Sequence, residues 1–295
     1  MAICYICQGV VHSPDDSSFM DKFANYISRI EIQSLWSNRK HIVWNLNPRV
    51  NILSGVNGVG KSTILNRIIA YLRHKNRSLK SDTMPGVLME FEPREATQIR
   101  FNVIKSLDTQ LMTASILSKI GDEGVRSELD WRLYELQRQY LDYQVNIGNR
   151  IISILTSGRE GANEEAKKAS GMKTCFQDMI DELFADTNKK IDRSCNELRF
   201  IQYGESLSPY VLSAGEKQIL LILLTVLLED CRPYVLFMDE PEVSLHVEWQ
   251  QKLVSLVLAL NENVQIILTT HSPAMVMNGW TDAVTEVSDI TVDKG

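Results

Sequence analysis

Basic residues are in deficit in this sequence: 31 Lys and Arg stand against 37 Asp and Glu, a formal net charge of −6. A surface built throughout to hold a nucleic-acid backbone is thereby excluded, while a local basic patch stays open. Long apolar runs are also missing. The longest, residues 219–228, is interrupted by Thr225 and falls well short of the ~18–20 residues that a membrane-spanning helix needs. The start, M-A-I-C-Y-I-C, has no basic segment ahead of its apolar residues and soon meets Asp15 and Asp16, so it does not read as a signal peptide. Cysteine is scarce, and five in a chain of 295 residues point to reduced thiols in a cytoplasm. Cys4 and Cys7 form a lone C-x-x-C with no second pair at ligand spacing, which fits a short apolar segment better than a zinc or redox site. The remaining composition, 44% apolar and 23% charged, allows a large core and one or two domains.

What the sequence does have is the stretch 55–63, G-V-N-G-V-G-K-S-T. It fits the pattern G-x-x-x-x-G-K-[ST], follows a strand-like run at 50–54 and opens an apolar-periodic helix through Ile64, Leu65, Ile68, Ile69 and Leu72. Gly58 and Gly60 let the backbone amides of Asn57, Val59 and their neighbours turn inward around a phosphate. The helix N-terminus, from Ser62 and Thr63, adds partial positive charge. Lys61 can reach the β- and γ-phosphates and the Ser62 hydroxyl can ligate Mg²⁺. A bound nucleotide is expected, with Mg²⁺ at its phosphates.

Upstream, Ile30 and Ile32, then Ile42, Trp44 and Leu46, recur with period two and predict two strands. The turn between them, S-N-R-K at 37–40, could contact a purine ring or be a solvated hairpin tip. The basic run at 73–80 could meet a phosphate backbone, though a solvated loop fits it better. Residues 87–91 and 99–103 predict further strands, and Gln110, just after a strand end, could face a metal-bound phosphate. From 122 to 200 the pattern changes. Leu129, Leu133, Leu136, Tyr140, Tyr143, Ile147, Ile151 and Ile154 are spaced by threes and fours, as on one long amphipathic helix. Residues 157–171 are small and charged and predict a flexible connection. Met172, Phe176, Met179 and Leu183 mark a second helix, antiparallel to the first.

Three features follow. L-S-A-G-E-K-Q at 212–218 precedes an apolar helix. Ser213 and Glu216 make an S-x-x-E capping box, and Gly215, a poor residue for a first turn, leaves amides open as an anion site. Y-V-L-F-M at 234–238 is a strand buried on both faces. It ends in Asp239, which can support Mg²⁺, and Glu240, which can take a proton from water. V-Q-I-I-L-T-T at 264–270 is another buried strand, followed by His271, at the carboxyl edge where ligands bind in open α/β sheets.

The order of these four motifs resembles that of the ABC-type ATPases over residues 26–275. The resemblance implies an α/β fold. Its parts are an ABC-ATPase head with a RecA-like, mostly parallel core sheet, an N-terminal antiparallel β-subdomain and a helical lobe. The corresponding divisions are an extension at 1–25, a first ATPase lobe at 26–121, a helical insert at 122–211 and a second lobe at 212–295. It implies a head-to-tail homodimer sandwiching two ATP molecules. In that arrangement Lys61 and Ser62 hold phosphates and Mg²⁺, Asp239 supports the metal and Glu240 is the general base. His271 senses the γ-phosphate, Gln110 is the glutamine of the loop after the outer strands, and Ser213 and Gly215 contact the γ-phosphate of the partner's ATP.

The continuation E-P-E-x-x-L-H-x-x-W-Q at 240–250 departs from the transporter pattern and is similar to the soluble RecF/SMC-related ATPases, above all the heads of OLD-family proteins and their relatives in bacterial anti-phage systems. OLD proteins continue into a Toprim nuclease, for which Gly295 leaves no room, so a separately encoded effector, a nuclease or toxin, is expected. The alternative is a RecF-like, DNA-binding ATPase of repair or chromosome maintenance, which would need a basic surface across the dimer.

Overall fold

Period-two alternation and unbroken apolar runs send the strands of this chain to different sheets. The computed structural model describes residues 23–35, 40–77, 86–105 and 125–293. Cys4, Cys7, the turn at 37–39 and Gln110 lie outside the described residues. Strands β1 (Tyr26–Leu35), β2 (Lys40–Asn45) and β3 (Val50–Ser54) precede helix α1 (Lys61–Arg77). Strands β4 (Val87–Glu92) and β5 (Phe101–Ile104) are followed by helices α2 (Glu128–Thr156) and α3 (Ala162–Leu183). Three short strands, β6 (Lys189–Ile191), β7 (Phe200–Gln202) and β8 (Glu205–Leu207), lead to α4 (Ala214–Leu228). The order closes with β9 (Tyr234–Asp239), α5 (Val247–Leu260), β10 (Val264–Thr269), α6 (Ala274–Met277), β11 (Val284–Glu286) and β12 (Thr291–Asp293).

The central sheet runs β11-β3-β10-β9-β5, with every pairing parallel. Its inner strands β3, β10 and β9 are largely apolar on both faces because both faces are covered. Leu236, Met238, Ile266 and Leu268 point into one core, shared with α2, α3, α4 and α5. Val235, Phe237, Ile267 and Leu53 point into a second core, shared with Ile64, Leu65, Ile68 and Leu72 of α1 and with the antiparallel sheet. That sheet runs β12-β2-β1-β4, and a third, β6-β7-β8, pairs with neither. Helix α4 is buried on nearly all sides from Glu216 to Leu227, as its continuous apolar sequence requires. The mixed α/β fold expected from the sequence is therefore present.

Helices α2 and α3 run antiparallel. Lys173 donates to Gln144 Oε1 at 2.6 Å, and one turn away the Tyr140 ring packs on Phe176. The connection between them is shorter than expected. Only residues 157–161 lie outside the helices, and α3 already runs from Ala162 through Ser170 and Gly171. The three alanines, two glutamates and two lysines of residues 162–171 are good helix formers, with a Lys167–Glu164 pair at i,i+3. Residues 73–77 of the basic run likewise continue α1 instead of forming a loop, and the Lys75 ammonium lies 4.2 Å from the centre of the Phe91 ring. The two strands expected after α1 part company: β4 joins the antiparallel sheet and β5 the parallel one. Among the described residues no helix is long and apolar enough to cross a membrane.

Besides their shared apolar core, the antiparallel sheet is tied to the central one through a fully buried amide. Gln265, on β10, accepts from the Ile27 backbone N–H at 2.8 Å and donates to the carbonyls of Ile27 and Asn47, both at 2.9 Å. Gln265→Leu keeps the volume and deprives the buried Ile27 N–H and carbonyl of this partner, while the Asn47 carbonyl keeps the Asn51 amide at 2.8 Å, so it should lower unfolding stability by about 2 kcal/mol with little change in the urea m-value. A loss below about 1 kcal/mol would show that these bonds do not hold the sheets together.

Candidate functional site

The turn from β3 into α1 is set by glycines that other residues could not replace cheaply. Gly58 and Gly60 adopt φ of 80° and 102°, in the left-handed range. Asn57 and Gly58 lie exposed at the crest of the loop, with open space where a Gly58 side chain would be. Val59 folds back onto the core beside α1, the Gly60 carbonyl accepts the first helical bond from Ile64, and Thr63 faces solvent. Lys61 is buried and bends over the loop. Its Nζ donates to the Gly55 carbonyl at 2.9 Å and lies 2.7 Å from His271 Nε2. Burial pushes its pKa below the ordinary lysine value, with Glu240, Asp239 and Glu242 opposing that shift by their charge.

The carboxyl ends of β9 and β10 meet this loop. Asp239 Oδ1 accepts from the Ser62 hydroxyl at 2.8 Å and from the Thr269 hydroxyl at 2.6 Å. Glu240 follows at φ 48°, a left-handed conformation that turns the chain out of the strand, and its N–H donates to Thr269 Oγ1. Its carboxylate lies 3.2 Å from His271 Nε2. That nitrogen has one hydrogen position, so it either accepts from Lys61 or donates to Glu240, and cannot do both at once. Lys61, Ser62, Asp239, Glu240 and His271 are thus one contiguous cluster at the carboxyl edge of three parallel strands.

The cluster has a support that the sequence reading did not single out. Glu242 Oε1 accepts from the Thr270 hydroxyl at 2.6 Å and from the His271 N–H at 2.9 Å. Gln250 accepts from the Ser272 hydroxyl at 2.6 Å and donates to the Leu245 carbonyl at 2.9 Å. Leu245 is buried and Trp249 packs on Phe184. The run E-P-E-x-x-L-H-x-x-W-Q is therefore a latch that fixes the backbone at His271. Its spacing to 270–272 was the available signal, but nothing local marks partners some 30 residues apart.

Ser213 and Gly215 lie at the start of α4, where the expected capping box is formed in both directions. The Ser213 hydroxyl accepts from the Glu216 N–H, and Glu216 accepts from the Ser213 N–H at 2.8 Å. Glu216 also takes Lys189 Nζ at 2.7 Å, and Lys217 pairs with Asp130 Oδ1 at 2.7 Å, all four side chains being largely buried. Burial resists ionisation of Glu216, yet its bonds from Lys189 and Ser213 outweigh this and hold its carboxyl below the usual range. Gly215 has a reason beyond open amides. A Cβ there would lie 2.4 Å from the Ser244 carbonyl oxygen, so only glycine lets the latch segment approach α4.

Residues 114–277, more than half the chain, match the family model described as "AAA domain, putative AbiEii toxin, Type IV TA system". The chain belongs to this family. The chain is similar to the Retron Vc95 probable ATPase of Vibrio cholerae serotype O1 biovar El Tor, at 24% identity over 247 residues covering 79% of this chain and 46% of that protein. It is also similar to the Retron Ec83 probable ATPase of Escherichia coli, at 34% identity over 98 residues covering 30% and 18%. The chain thus spans less than half the length of the curated relatives it matches. Among solved structures it is similar to the Smc head bound to the C-winged helix domain of ScpA, with 12% identity, a TM-score of 0.49 and coverage of 86% of this chain and 91% of that one. The likeness to ABC-type ATPases drawn from the four motifs agrees with the AAA-domain family and with the names of the retron relatives.

The residues of this cluster fit a Mg²⁺-bound nucleoside triphosphate. One carboxylate and one hydroxyl, Asp239 and Ser62, are a donor set that suits Mg²⁺, which takes few protein ligands and completes its shell with water and phosphate oxygens. A buried ammonium whose hydrogen bonds go to the Gly55 carbonyl and an imidazole has partners that phosphate oxygens can replace. Gly215→Ala tests the packing argument. Helix propensity alone would favour it by about 1 kcal/mol, but the contact with Ser244 should reverse the sign and destabilise by about 1–3 kcal/mol. A stabilised variant in thermal unfolding would contradict the close approach.

Proposed function

We propose that this chain is an ABC-type ATPase head that binds and hydrolyses ATP with Mg²⁺, pairs head to tail through two shared ATP molecules, and controls a separately encoded effector in bacterial anti-phage defence. The observation that carries this reading is the cluster of Lys61, Ser62, Asp239, Glu240 and His271 on one sheet edge. Ser62 and Asp239 would hold the Mg²⁺, which when bound supplies positive charge against the phosphate oxygens. Lys61 exchanges its bonds to Gly55 and His271 for bonds to phosphate. Released from Lys61, His271 in its Nε2–H tautomer can donate to a γ-phosphate oxygen, and Glu240 accepts a proton from the water that attacks the γ-phosphorus as the bond to the β-phosphate oxygen breaks. Asn57, Gly58, Val59, Gly60 and Thr63 present backbone amides to the phosphates, and Gln110 would add a contact from a second segment.

The hydrogen bonds of the start of α4 go to the helical insert, through Lys189 and Asp130, which supports a role for Ser213 and Gly215 toward a second chain. The family description names a toxin and a type IV toxin–antitoxin system, and both curated relatives are named ATPases of retrons. These names favour an effector-controlling ATPase over a repair ATPase, and the net charge of −6 agrees. Glu240→Gln should bind ATP, lose hydrolysis and elute as a dimer in size-exclusion chromatography with ATP. Lys61→Ala should not bind nucleotide. A Glu240→Gln protein that stays monomeric in ATP would refute the shared site, and unchanged ATP affinity in Lys61→Ala would refute the phosphate loop.

A further inference from the structure

Two of the five residues that follow Ser213 carry opposite charges, and both are buried against the helical insert. Glu216 accepts from Lys189 at 2.7 and 3.0 Å, from the Thr187 hydroxyl at 3.1 Å and from the Ser213 N–H at 2.8 Å. Lys217 pairs with Asp130, whose other oxygen accepts from the N–H groups of Arg126 and Ser127 at the start of α2. The Glu216 carboxylate thus completes the capping box of α4 and receives the ammonium of Lys189 on β6. The Lys217 ammonium reaches Asp130, which completes the capping box of α2 with Ser127. Strand β6 belongs to the sheet that pairs with neither of the others, so its position relative to α4 is set by side-chain contacts of this kind.

We infer that Lys189 and Asp130 are positioning residues through which the helical insert governs whether Ser213 and Gly215 can complete the nucleotide site of a second chain. The inference rests on the head-to-tail reading and deepens it. A buried ion pair is sensitive to geometry, because separating its members leaves an uncompensated charge in a poorly solvated place. Displacing β6 or the start of α2 therefore either drags the first turn of α4 along or breaks the pair. Displacement drags Ser213 most directly, since its N–H and hydroxyl are both bonded to Glu216. The phosphate loop is not touched by these pairs: the hydrogen bonds of Lys61 run to Gly55, Val56 and His271. Nucleotide binding within one chain and association between chains thus depend on different side chains.

The test uses Lys189→Met and Lys189→Arg, each in the full chain carrying Glu240→Gln. ATP affinity is measured with a fluorescent analogue at protein concentrations where the chain is monomeric, and association by analytical ultracentrifugation with ATP. Lys189→Met should keep its ATP affinity within about twofold, while its dimer dissociation constant rises about tenfold or more. Lys189→Arg, which keeps the charge, should associate as the parent does. A general structural role would weaken ATP binding and association together in Lys189→Met, and that result overturns the inference. So does a Lys189→Met protein that dimerises like its parent. If the Glu240→Gln parent itself does not dimerise, the head-to-tail reading falls, and the inference with it. Should Lys189→Met fail to fold, Lys189→Gln replaces it, since it still donates to Glu216 without a charge and carries the same two expectations.

Discussion

One carboxylate oxygen holds the site together. Asp239 Oδ1 accepts the Ser62 hydroxyl from the start of α1 and the Thr269 hydroxyl from the end of β10, so the segments that follow β3, β9 and β10 converge on a single atom. Parallel pairing brings these ends to the same edge, and the burial of all three strands on both faces makes that edge rigid. Everything else at the site is placed relative to this point. Glu240 turns outward from it, His271 lies one residue beyond the bonded Thr270, and Lys61 stands next to Ser62. A carboxylate that accepts two short hydroxyl bonds is also poised to exchange one of them for a divalent cation.

The site is a cluster of competing bonds. Lys61 and Glu240 both address His271 Nε2, and only one of them can be served. Phosphate oxygens near Lys61 would resolve that competition by withdrawing the ammonium, and this gives the nucleotide a direct way to change what His271 does. The latch of Glu242 and Gln250 keeps the His271 backbone in place while its side chain changes partner. In the first turn of α4, Glu216 and Lys217 pair with Lys189 of β6 and Asp130 of α2, and under the head-to-tail proposal these buried pairs position Ser213 for a second chain.

Much of this was legible in the sequence because it is written locally. The strands β3, β9 and β10 are short, apolar and bounded by turn or charged residues, and the phosphate loop and capping box are contiguous patterns. Helices α2 and α3 showed their apolar stripes, but the start of α3 did not. Ala162 to Gly171 lacks an apolar stripe, and its small and charged composition describes a surface helix as well as a loop. The division of β4 and β5 between two sheets was not legible either, since pairing is decided by partners far along the chain. The same holds for Glu242, Gln250 and Gln265, whose bonds span roughly 20 to 240 residues and bear no local mark. Gly215 was noticed as a poor helix residue, but its close neighbour Ser244 could be found only in three dimensions.

In the proposed head-to-tail pair the phosphate loop is half of a site, completed by the start of α4 from another chain. Complementation between two inactive proteins tests this most directly. Lys61→Ala removes the loop's cation and Ser213→Ala removes the hydroxyl offered to a partner, so each protein alone should hydrolyse no ATP. Mixed in equal amounts, they can form a pair in which the intact loop of one chain meets the intact Ser213 of the other. The mixture should regain ATPase activity, and the gain should grow with total protein concentration. A mixture as inactive as its components, with both proteins folded, would contradict the shared site.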